Sequence, residues 1–384
     1  MPLFPRYFDS SSIHEYTYKP GVYTPLDTWM SLNVWEPLVH YVPQWMAPNI
    51  LTLVGFICTV GAFLCVAVPS PTLDMPIPRT CLLLVALFVF LYQTLDALDG
   101  KQARRMKCSS PLGTLFDHGC DIVTVTLLSV AGLGICQQGL TGRSFMAVAV
   151  NTHLLQFLFL WYEFYFNVFM SNPGFTVTGV TEAQFCTVAP IILCALLAAF
   201  TRTDVFSLRL TSWTPWGHVI TLGNMIMDVV ILNNIVSVVV YVCRVLFKVE
   251  RSKKLLATLQ CSTFIGFVWV EWRFFKTTLI DRHCTPMLVY LLITVVYSTV
   301  LIRLLLASVA KRNFSVIQRP ILPFVLLTLL ISKLDFSDLM VDILILLDLG
   351  FQTLFFADFL VTAINDLCTE LKISCFRISP LRTE

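Results

Sequence analysis

Four aspartates stand at helical spacing on either side of one short polar turn, within DALDGKQARRMKCSSPLGTLFDHGCD. Asp96 and Asp99 are three residues apart and Asp117 and Asp121 are four apart, so each pair shares one face of a helix. The flanking segments are apolar, and carboxylates at membrane depth are costly enough that they usually mark function. Oxygen ligands of this kind suit hard divalent cations such as Mg²⁺, which neutralise the phosphates of a nucleotide. The stretch therefore predicts a metal site for phosphate chemistry.

Two antiparallel helices joined by the polar turn 105–112 would bring the four carboxylates to one place. The small residues Gly100, Ala103 and Gly113 should let the helix backbones, or a bulky nucleotide, approach closely. An isolated intramembrane aspartate could instead hydrogen-bond a neighbouring helix, and an acidic ring could line a cation pathway. Outside the enzymes, the alternative is thus a divalent-cation transporter, in which the ligands would be spread through the midplane.

Composition defines the class of protein that carries this cluster. Of 384 residues, 57% are apolar and only 13% are charged, which predicts a polytopic membrane protein. The net charge of +2 argues against a nucleic-acid binder with a broad basic face. The 13 cysteines show no spacing of a zinc site and are interpreted as small buried hydrophobes. The first 46 residues do not match the pattern of a cleavable signal peptide.

Hydropathy predicts an all-α fold of about ten transmembrane helices, because backbone groups in lipid must be satisfied within the segment. The spans are placed at 47–68, 80–104, 113–137, 145–170, 184–201, 217–247, 255–276, 286–308, 316–334 and 342–366. The sixth span is overlong and could be broken. In the ninth, Pro320 and Pro323 are expected to kink the helix near its start.

The segment before the first span is expected to lie on the membrane rather than to cross it. Residues 27–46 interleave Trp29, Trp35, Tyr41 and Trp45 with polar groups, which is typical of an interfacial amphipathic helix with rings at headgroup level; a soluble cap over the cytosolic loops is the alternative. The predicted organisation is an N-terminal segment 1–46, one membrane domain 47–366 and a tail 367–384. Lysine and arginine are about twice as frequent in one set of loops, so the positive-inside rule puts both termini and the aspartates in the cytosol.

The acidic stretch resembles the signature of the CDP-alcohol phosphotransferase family. The pattern D-x-x-D-G-x-x-A-R, eight residues, then G-x-x-x-D-x-x-x-D fits at all eight specified positions over residues 96–121. The residues between these positions look like the choline and ethanolamine phosphotransferase branch, as do APNILT at 47–52 and GVTEAQ at 179–184. The resemblance extends over most of the chain, although the last hundred residues match in pattern only.

The resemblance implies that a diacylglycerol hydroxyl attacks CDP-ethanolamine or CDP-choline, giving phospholipid and CMP. It implies that Asp96, Asp99, Asp117 and Asp121 hold one or two Mg²⁺ or Mn²⁺ ions, with Arg104 as a bidentate donor to a phosphate. We predict His118 as the general base, because its ordinary pKa of about 6.5 suits the cytosol. Elsewhere in the family the last aspartate often has this role, so Asp121 is the competing candidate.

By the same resemblance Asn49 is predicted to contact the nucleotide, whereas Pro48 and Thr52 are interpreted as an ordinary helix start. The headgroup could meet aromatic or acidic residues of the fourth span and the loop after it, although we expect most of these aromatics to be interfacial anchors. The candidates are Trp161, Tyr162, Glu163, Tyr165 and Glu182. The remaining intramembrane polar residues, Glu271 among them, are expected to pair between helices or to line a lipid-accessible cavity.

Within the enzymes, the rival is another CDP-alcohol phosphatidyltransferase, such as a phosphatidylinositol synthase, with a CDP-diacylglycerol donor. The family resemblance also suggests an endoplasmic reticulum or Golgi location and a homodimer.

Overall fold

The computed structural model describes most of the chain. The described residues are 24–139, 141–167, 220–282 and 284–378, with Ile13 and the strand at 209–211. The predicted fifth span, 184–201, and the segment 179–184 lie outside them.

The described N-terminal segment is helical. Helix α1 (Pro25–Met30) and helix α2 (Glu36–Val39) are joined by a π-helical turn, Ser31–Trp35. Thr24 caps α1 in a capping box: its hydroxyl accepts from the Asp27 amide at 3.1 Å, and the Asp27 carboxylate accepts from the Thr24 amide at 3.3 Å.

The other described helices follow in chain order. They are α3 (Pro48–Ala67), α4 (Arg79–Arg105), α5 (Pro111–Ile135), α6 (Gly142–Val148), α7 (Leu155–Phe166), α8 (Leu222–Lys248), α9 (Lys254–Phe275), α10 (Pro286–Val309), α11 (Leu322–Lys333) and α12 (Asp338–Leu371). Short turns extend several of them: a π-turn at Ala149–Leu154 between α6 and α7, 3₁₀ turns at Arg251–Lys253 and Arg319–Ile321, and a π-turn at Lys276–Ile280. Before α8, strand β1 (Arg209–Thr211) pairs antiparallel with strand β2 (Ile220–Thr221).

The predicted multi-pass α-helical fold is confirmed. Among the described residues, seven helices are long and apolar enough to cross a membrane: α3, α4, α5, α8, α9 with its flanking turns, α10 and α12. The sixth predicted span is one unbroken helix, α8. The ninth is shorter than predicted: α11 has 12 residues. It begins among Pro320 and Pro323, which lack the N–H of a helix interior but fit a first turn.

Helix α3 packs against both α4 and α5, and these two helices carry the predicted motif. The most buried of the candidate spans is α10, which contacts α5, α7 and α12 and forms the centre of the bundle. Glycine matters where helices meet most closely: a Cβ on Gly134 of α5 would collide with Val66 of α3. A Cβ on Gly223 of α8 would collide with the carbonyl of Cys136. Close packing therefore depends on these two glycines.

A buried polar pair joins the turn after α6 to α9. His153 and Glu271 are both fully buried, with His153 Nδ1 2.8 Å from Glu271 Oε2. The ring of Tyr297 stacks on His153 at a centroid distance of 4.0 Å, and the Tyr297 hydroxyl donates to Gln156 Oε1 at 2.7 Å. The other atoms of the pair, His153 Nε2 and Glu271 Oε1, have no hydrogen-bond partner within the described part of the chain. Glu271 thus pairs between helices, as predicted.

The N-terminal helices dock on the first turns of α3 and the last turns of α4. Met30, Trp35 and Val39 form a small apolar cluster with Leu51 and Leu98. Trp35 is therefore buried and is not one of the headgroup-level rings that the sequence predicted, because the π-turn directs it inward. The large apolar side chains that remain exposed on this segment are Trp29, Leu32, Leu38, Tyr41 and Trp45.

Candidate active site

Three of the four aspartates converge between α4 and α5. Asp96 and Asp99 of α4 and Asp117 of α5 each offer one carboxylate oxygen, and these oxygens lie within 4.8 Å of one another. The connection between the helices is tight: Lys107 adopts φ 54°, and Ser110 caps α5 by accepting from the Gly113 amide at 3.2 Å. The polar turn thereby returns the chain so that the two acidic faces meet.

Hydroxyl groups hold two of the carboxylates. The Thr52 hydroxyl of α3 donates to Asp99 Oδ2. The Tyr92 hydroxyl of α4 donates to Asp121 Oδ1 at 2.7 Å. Asp121 lies one turn beyond Asp117 on the same face of α5 and is not part of the trio of converging oxygens. Each bond joins two neighbouring helices of the α3–α5 unit.

The donor set fits a divalent cation. All the converging ligands are carboxylate oxygens, the type that hard cations prefer. Asp117 Oδ1 is buried and has no hydrogen-bond partner within the described residues. In the same part of the chain no Lys, Arg or His forms a salt bridge with any of the four aspartates. Like charges this close disfavour one another unless a cation compensates them.

The C-terminal end of α4, directly after the motif aspartates, is bonded to the N-terminal segment. Lys101 Nζ donates to Ser31 Oγ at 2.7 Å and to Glu36 Oε2 at 2.9 Å. This bond from Lys101 lowers the pKa of the Glu36 carboxyl. Arg105 donates to the carbonyl of Val39 at 2.7 Å. The N-terminal segment therefore fixes the end of the helix that carries Asp96 and Asp99.

The other predicted motif residues surround the trio. His118 follows Asp117 on α5 and is buried, with 8% of its surface exposed. Arg104 is exposed, and its guanidinium lies along α4 over Gly100, where a Cβ would stand 3.5 Å from Arg104 Nη1. That guanidinium is all that a Cβ at Gly100 would meet within 4 Å, so Gly100 does not serve close helix packing. Ala103, on the same helix, is half-buried.

Asn49 contacts the tail that follows α12. Its Nδ2 donates to the carbonyl of Cys375 at 2.9 Å, while its Oδ1 would stand 3.9 Å from a Cβ on Gly113. Next to it, the ring of Phe376 packs edge-on against Phe116 at 5.5 Å. The C-terminal segment therefore reaches the start of α3 and α5, beside the aspartates, which sequence reasoning missed.

The headgroup candidates of α7 lie inside the bundle. Trp161, Tyr162 and Glu163 are buried, so the interpretation of Trp161 and Tyr162 as interfacial anchors is wrong. Trp161 Nε1 and the Tyr165 hydroxyl both donate to Gln260 Oε1 of α9, at 3.2 Å and 2.8 Å. Packing against α9 explains these positions. Glu182 lies outside the described residues.

Sequence reasoning also missed the role of two hydroxyls at the site. Tyr92 precedes Asp96 by one helical turn, a spacing that could have identified it. Thr52 was interpreted as part of a helix start, although its hydroxyl contacts Asp99. For Cys375 no local pattern exists, because its partner Asn49 is 326 residues away.

Comparisons with known proteins agree with the motif. The sequence model of the CDP-alcohol phosphatidyltransferase family matches residues 45–245. Choline/ethanolaminephosphotransferase 1 of Arabidopsis thaliana is 29% identical over 96% of this chain and 97% of its own length. Choline/ethanolaminephosphotransferase 2 of the same plant is 30% identical over 90% of each chain.

A third relative shares a shorter and more similar stretch. "Uncharacterized CDP-alcohol phosphatidyltransferase class-I family protein 2" of Dictyostelium discoideum is 51% identical over 25% of this chain and 24% of its own length. The family match spans α3, α4 and α5, which carry the converging carboxylates. The chain is thus a multi-pass membrane enzyme that belongs to the CDP-alcohol phosphatidyltransferase family.

Proposed function

We propose that this enzyme transfers phosphoethanolamine, phosphocholine or both from the CDP-alcohol to diacylglycerol, forming phosphatidylethanolamine or phosphatidylcholine and CMP. The observation that carries the proposal is the trio of carboxylate oxygens within 4.8 Å of one another, inside the family motif. The names of the two full-length relatives support the choice of choline and ethanolamine as headgroups.

The reaction exchanges one phosphorus–oxygen bond for another. The primary hydroxyl oxygen of diacylglycerol bonds to the β-phosphorus of the CDP-alcohol, and the bond from that phosphorus to the bridging oxygen breaks. CMP leaves with the electron pair. Such transfers need positioning and charge stabilisation more than covalent help. The proposal therefore requires groups that bind the diphosphate and one that takes the hydroxyl proton.

We assign the diphosphate end to the motif residues. Asp96, Asp99, Asp117 and Asp121 would hold one or two Mg²⁺ or Mn²⁺ ions. When bound, such an ion neutralises the diphosphate and the charge that develops on departing CMP. The exposed Arg104 is free to swing from Gly100 to a phosphate oxygen. Its permanent charge would then orient the diphosphate.

The nucleotide would lie where the small residues leave room. Gly100, Ala103 and Gly113 line the proposed path of the diphosphate, and a side chain at Gly100 would meet no neighbouring helix. Asn49 stands next to Gly113 and would offer its amide to the ribose or the base. The tail carbonyl of Cys375 holds this amide in place.

The proton of the attacking hydroxyl is assigned to His118, with Asp121 as the competing base. His118 follows Asp117 and is not among the carboxylates assigned to the ion, so its imidazole would take the proton of the hydroxyl. Asp121 would have to act while serving as a metal ligand and while accepting the Tyr92 hydroxyl. We therefore assign the proton to His118 first and keep Asp121 as the competing base.

The membrane context completes the proposal. One membrane domain, 47–366, follows the interfacial segment 1–46 and precedes the tail 367–384. The excess of Lys and Arg in one set of loops puts the site at the cytosolic face, so water-soluble CDP-alcohol enters from the cytosol. Diacylglycerol would enter sideways from the bilayer. A homodimer in the endoplasmic reticulum or Golgi follows from analogy with the family.

The substrate assignment is tested with purified protein in detergent, supplied with Mg²⁺ and diacylglycerol. CMP release is followed with CDP-choline, with CDP-ethanolamine, and in a separate arm with CDP-diacylglycerol plus inositol. We expect release only with the CDP-headgroup donors. Release confined to the inositol arm would replace the proposal with a phosphatidylinositol synthase reaction.

The base assignment is tested by replacing His118 with Ala and Asp121 with Asn. General-base loss typically lowers the rate about 10²- to 10⁴-fold, and His118→Ala should do so without weakening Mn²⁺ binding. Asp121→Asn should weaken Mn²⁺ binding as well as the rate. A fully active His118→Ala enzyme would eliminate His118 as the base.

A further inference from the structure

Two hydroxyl groups contact the carboxylates from outside the metal-binding trio. Thr52 Oγ1 of α3 reaches Asp99 of α4, and Tyr92 Oη of α4 reaches Asp121 Oδ1 of α5 at 2.7 Å. Tyr92 and Thr52 are each only 6% exposed, so water does not compete for these bonds. One oxygen of each carboxylate is thereby fixed, while the rest of its coordinating capacity stays available.

We propose that Tyr92 and Thr52 are positioning residues that orient Asp121 and Asp99 for the divalent ion of the proposed function, on which this inference rests. A carboxylate on a short side chain rotates easily, and an outer hydrogen bond restricts it to one orientation. Asp121 depends most on such a bond, because its oxygens are not part of the converging trio. The Tyr92 hydroxyl holds it beside the site, within reach of a second ion.

The positions of the two hydroxyls fit this role. Tyr92 precedes Asp96 by four residues, so its ring lies on the acidic face of α4, one turn deeper than the first ligand. Thr52 is on the first turn and a half of α3, next to the helix start at Pro48 and Asn49. Both hydroxyls thus come from helices α3 and α4, which flank the carboxylates that they contact.

A purely structural role makes a different prediction. If the two bonds only join helices, removing either hydroxyl should lower thermal stability and leave the affinity for the ion unchanged. If they orient ligands, the affinity should fall even in protein that remains folded. Ion affinity in the absence of substrate therefore separates the two roles.

The experiment uses the full chain in detergent, without CDP-alcohol or diacylglycerol, and measures Mn²⁺ binding by electron paramagnetic resonance of the free ion. We expect Tyr92→Phe and Thr52→Val each to weaken Mn²⁺ binding about 10-fold, the usual cost of losing an outer-sphere partner. Thr52→Ser keeps the hydroxyl and should restore wild-type affinity. A thermal melt of each variant checks that it is folded.

Matched controls lie in the same bundle. Tyr290→Phe removes a buried hydroxyl that has no hydrogen-bond partner in the described part of the chain. Thr59→Val removes a buried hydroxyl two turns further along α3, which donates only to the Gly55 carbonyl at 3.4 Å. Both should bind Mn²⁺ like the wild type.

The outcomes separate this inference from the proposed function. Wild-type affinity in both Tyr92→Phe and Thr52→Val, in protein that binds Mn²⁺ well, would overturn the positioning roles and leave the proposed function standing. A wild-type enzyme that binds no Mn²⁺ and releases CMP without divalent ions would overturn the metal site, and this inference with it.

Discussion

Two sites in the described part of the chain differ in how they accommodate buried or half-buried acidic side chains. Between α6–α7 and α9, the single carboxylate of Glu271 faces the imidazole of His153 at 2.8 Å, and both residues are fully buried. Between α4 and α5, Asp96, Asp99 and Asp117 face one another, and no basic side chain forms a salt bridge with them among the residues described.

This difference indicates a structural role for the His153–Glu271 pair and a metal-binding role for the aspartate trio. Burying a charge costs several kcal/mol unless it is paired, so each site needs a compensating partner. The partner of Glu271 is His153 of the same chain, so that site needs no ligand from outside. Among the described residues no basic side chain pairs with the aspartate trio, and the hydroxyls of Thr52 and Tyr92 add hydrogen bonds but no positive charge. The trio is therefore arranged for a cation from outside.

The largest effect is expected from removing charge at the trio. Asp99→Asn or Asp117→Asn should lower CMP release about 10³-fold, because an ion that stabilises the transition state is worth several kcal/mol and each 1.36 kcal/mol is tenfold in rate. The folded state should persist, since the substitution relieves repulsion between like charges. CMP release at saturating substrate, with a melting curve alongside, measures both effects. Near-normal turnover in either variant would contradict the metal role of that aspartate.

The His153–Glu271 pair should respond in the opposite way. Glu271→Ala should destabilise the fold by about 3–5 kcal/mol, because it leaves His153 buried without its partner. The catalytic rate per folded molecule should change little. Thermal unfolding in detergent measures the loss. Glu250→Ala is the control, because Glu250 is 72% exposed and its contact with Lys253 is 3.6 Å long. Equal stability of the two variants would mean that the His153 pair contributes nothing.

Adding and removing the divalent ion should affect the aspartate trio and leave the His153–Glu271 pair unchanged. Mg²⁺ at about 100 times its dissociation constant should stabilise the wild type by about 2.7 kcal/mol, because it binds only the folded protein. Chelation with EDTA should reverse the effect. The stabilisation should vanish in Asp117→Asn and persist in Glu271→Ala, relative to the lower baseline of that variant. An equal response of both variants to Mg²⁺ would show that the ion binds elsewhere.

The parts of this contrast that sequence predicts are those with local spacing. Asp96 and Asp99 three residues apart, and Asp117 and Asp121 four apart, define faces that the helices α4 and α5 indeed present. Hydropathy likewise predicts the long spans from local sequence, because a membrane requires a minimum length and an apolar composition. The short α11 differs from its predicted span because proline sets its start.

The parts that sequence does not predict depend on contacts between distant residues. His153 and Glu271 are 118 residues apart, and nothing local distinguishes this pair from other polar residues of the membrane spans. Trp35 belongs to an amphipathic pattern that predicts exposure, yet a π-turn directs it inward. The contact of Asn49 with Cys375 requires the whole bundle to bring the tail back to α3. In each case the local sequence is compatible with several contacts, and the tertiary fold determines which one forms.

The smallest change in stability is expected at Glu36, an exposed carboxylate outside both sites. Its partner Lys101 lies 2.9 Å away, but Glu36 is 57% exposed, so the pair should be worth about 0–1 kcal/mol. Because Lys101 lowers the pKa of Glu36 below its ordinary value of 4.5, the stabilisation is present above pH 4.5. It is lost as the pH falls through the lowered pKa of the folded state.

Glu36→Gln should therefore be slightly less stable than the wild type at neutral pH, and the two melting curves should converge in acid below pH 4.5. Glu250→Gln provides the baseline for an exposed carboxylate with a longer contact, 3.6 Å, to its lysine. A loss of several kcal/mol in Glu36→Gln would contradict the surface assignment. It would mean that the Lys101–Glu36 pair contributes as much stability as the buried His153–Glu271 pair. Solvent would then not screen the Lys101–Glu36 pair.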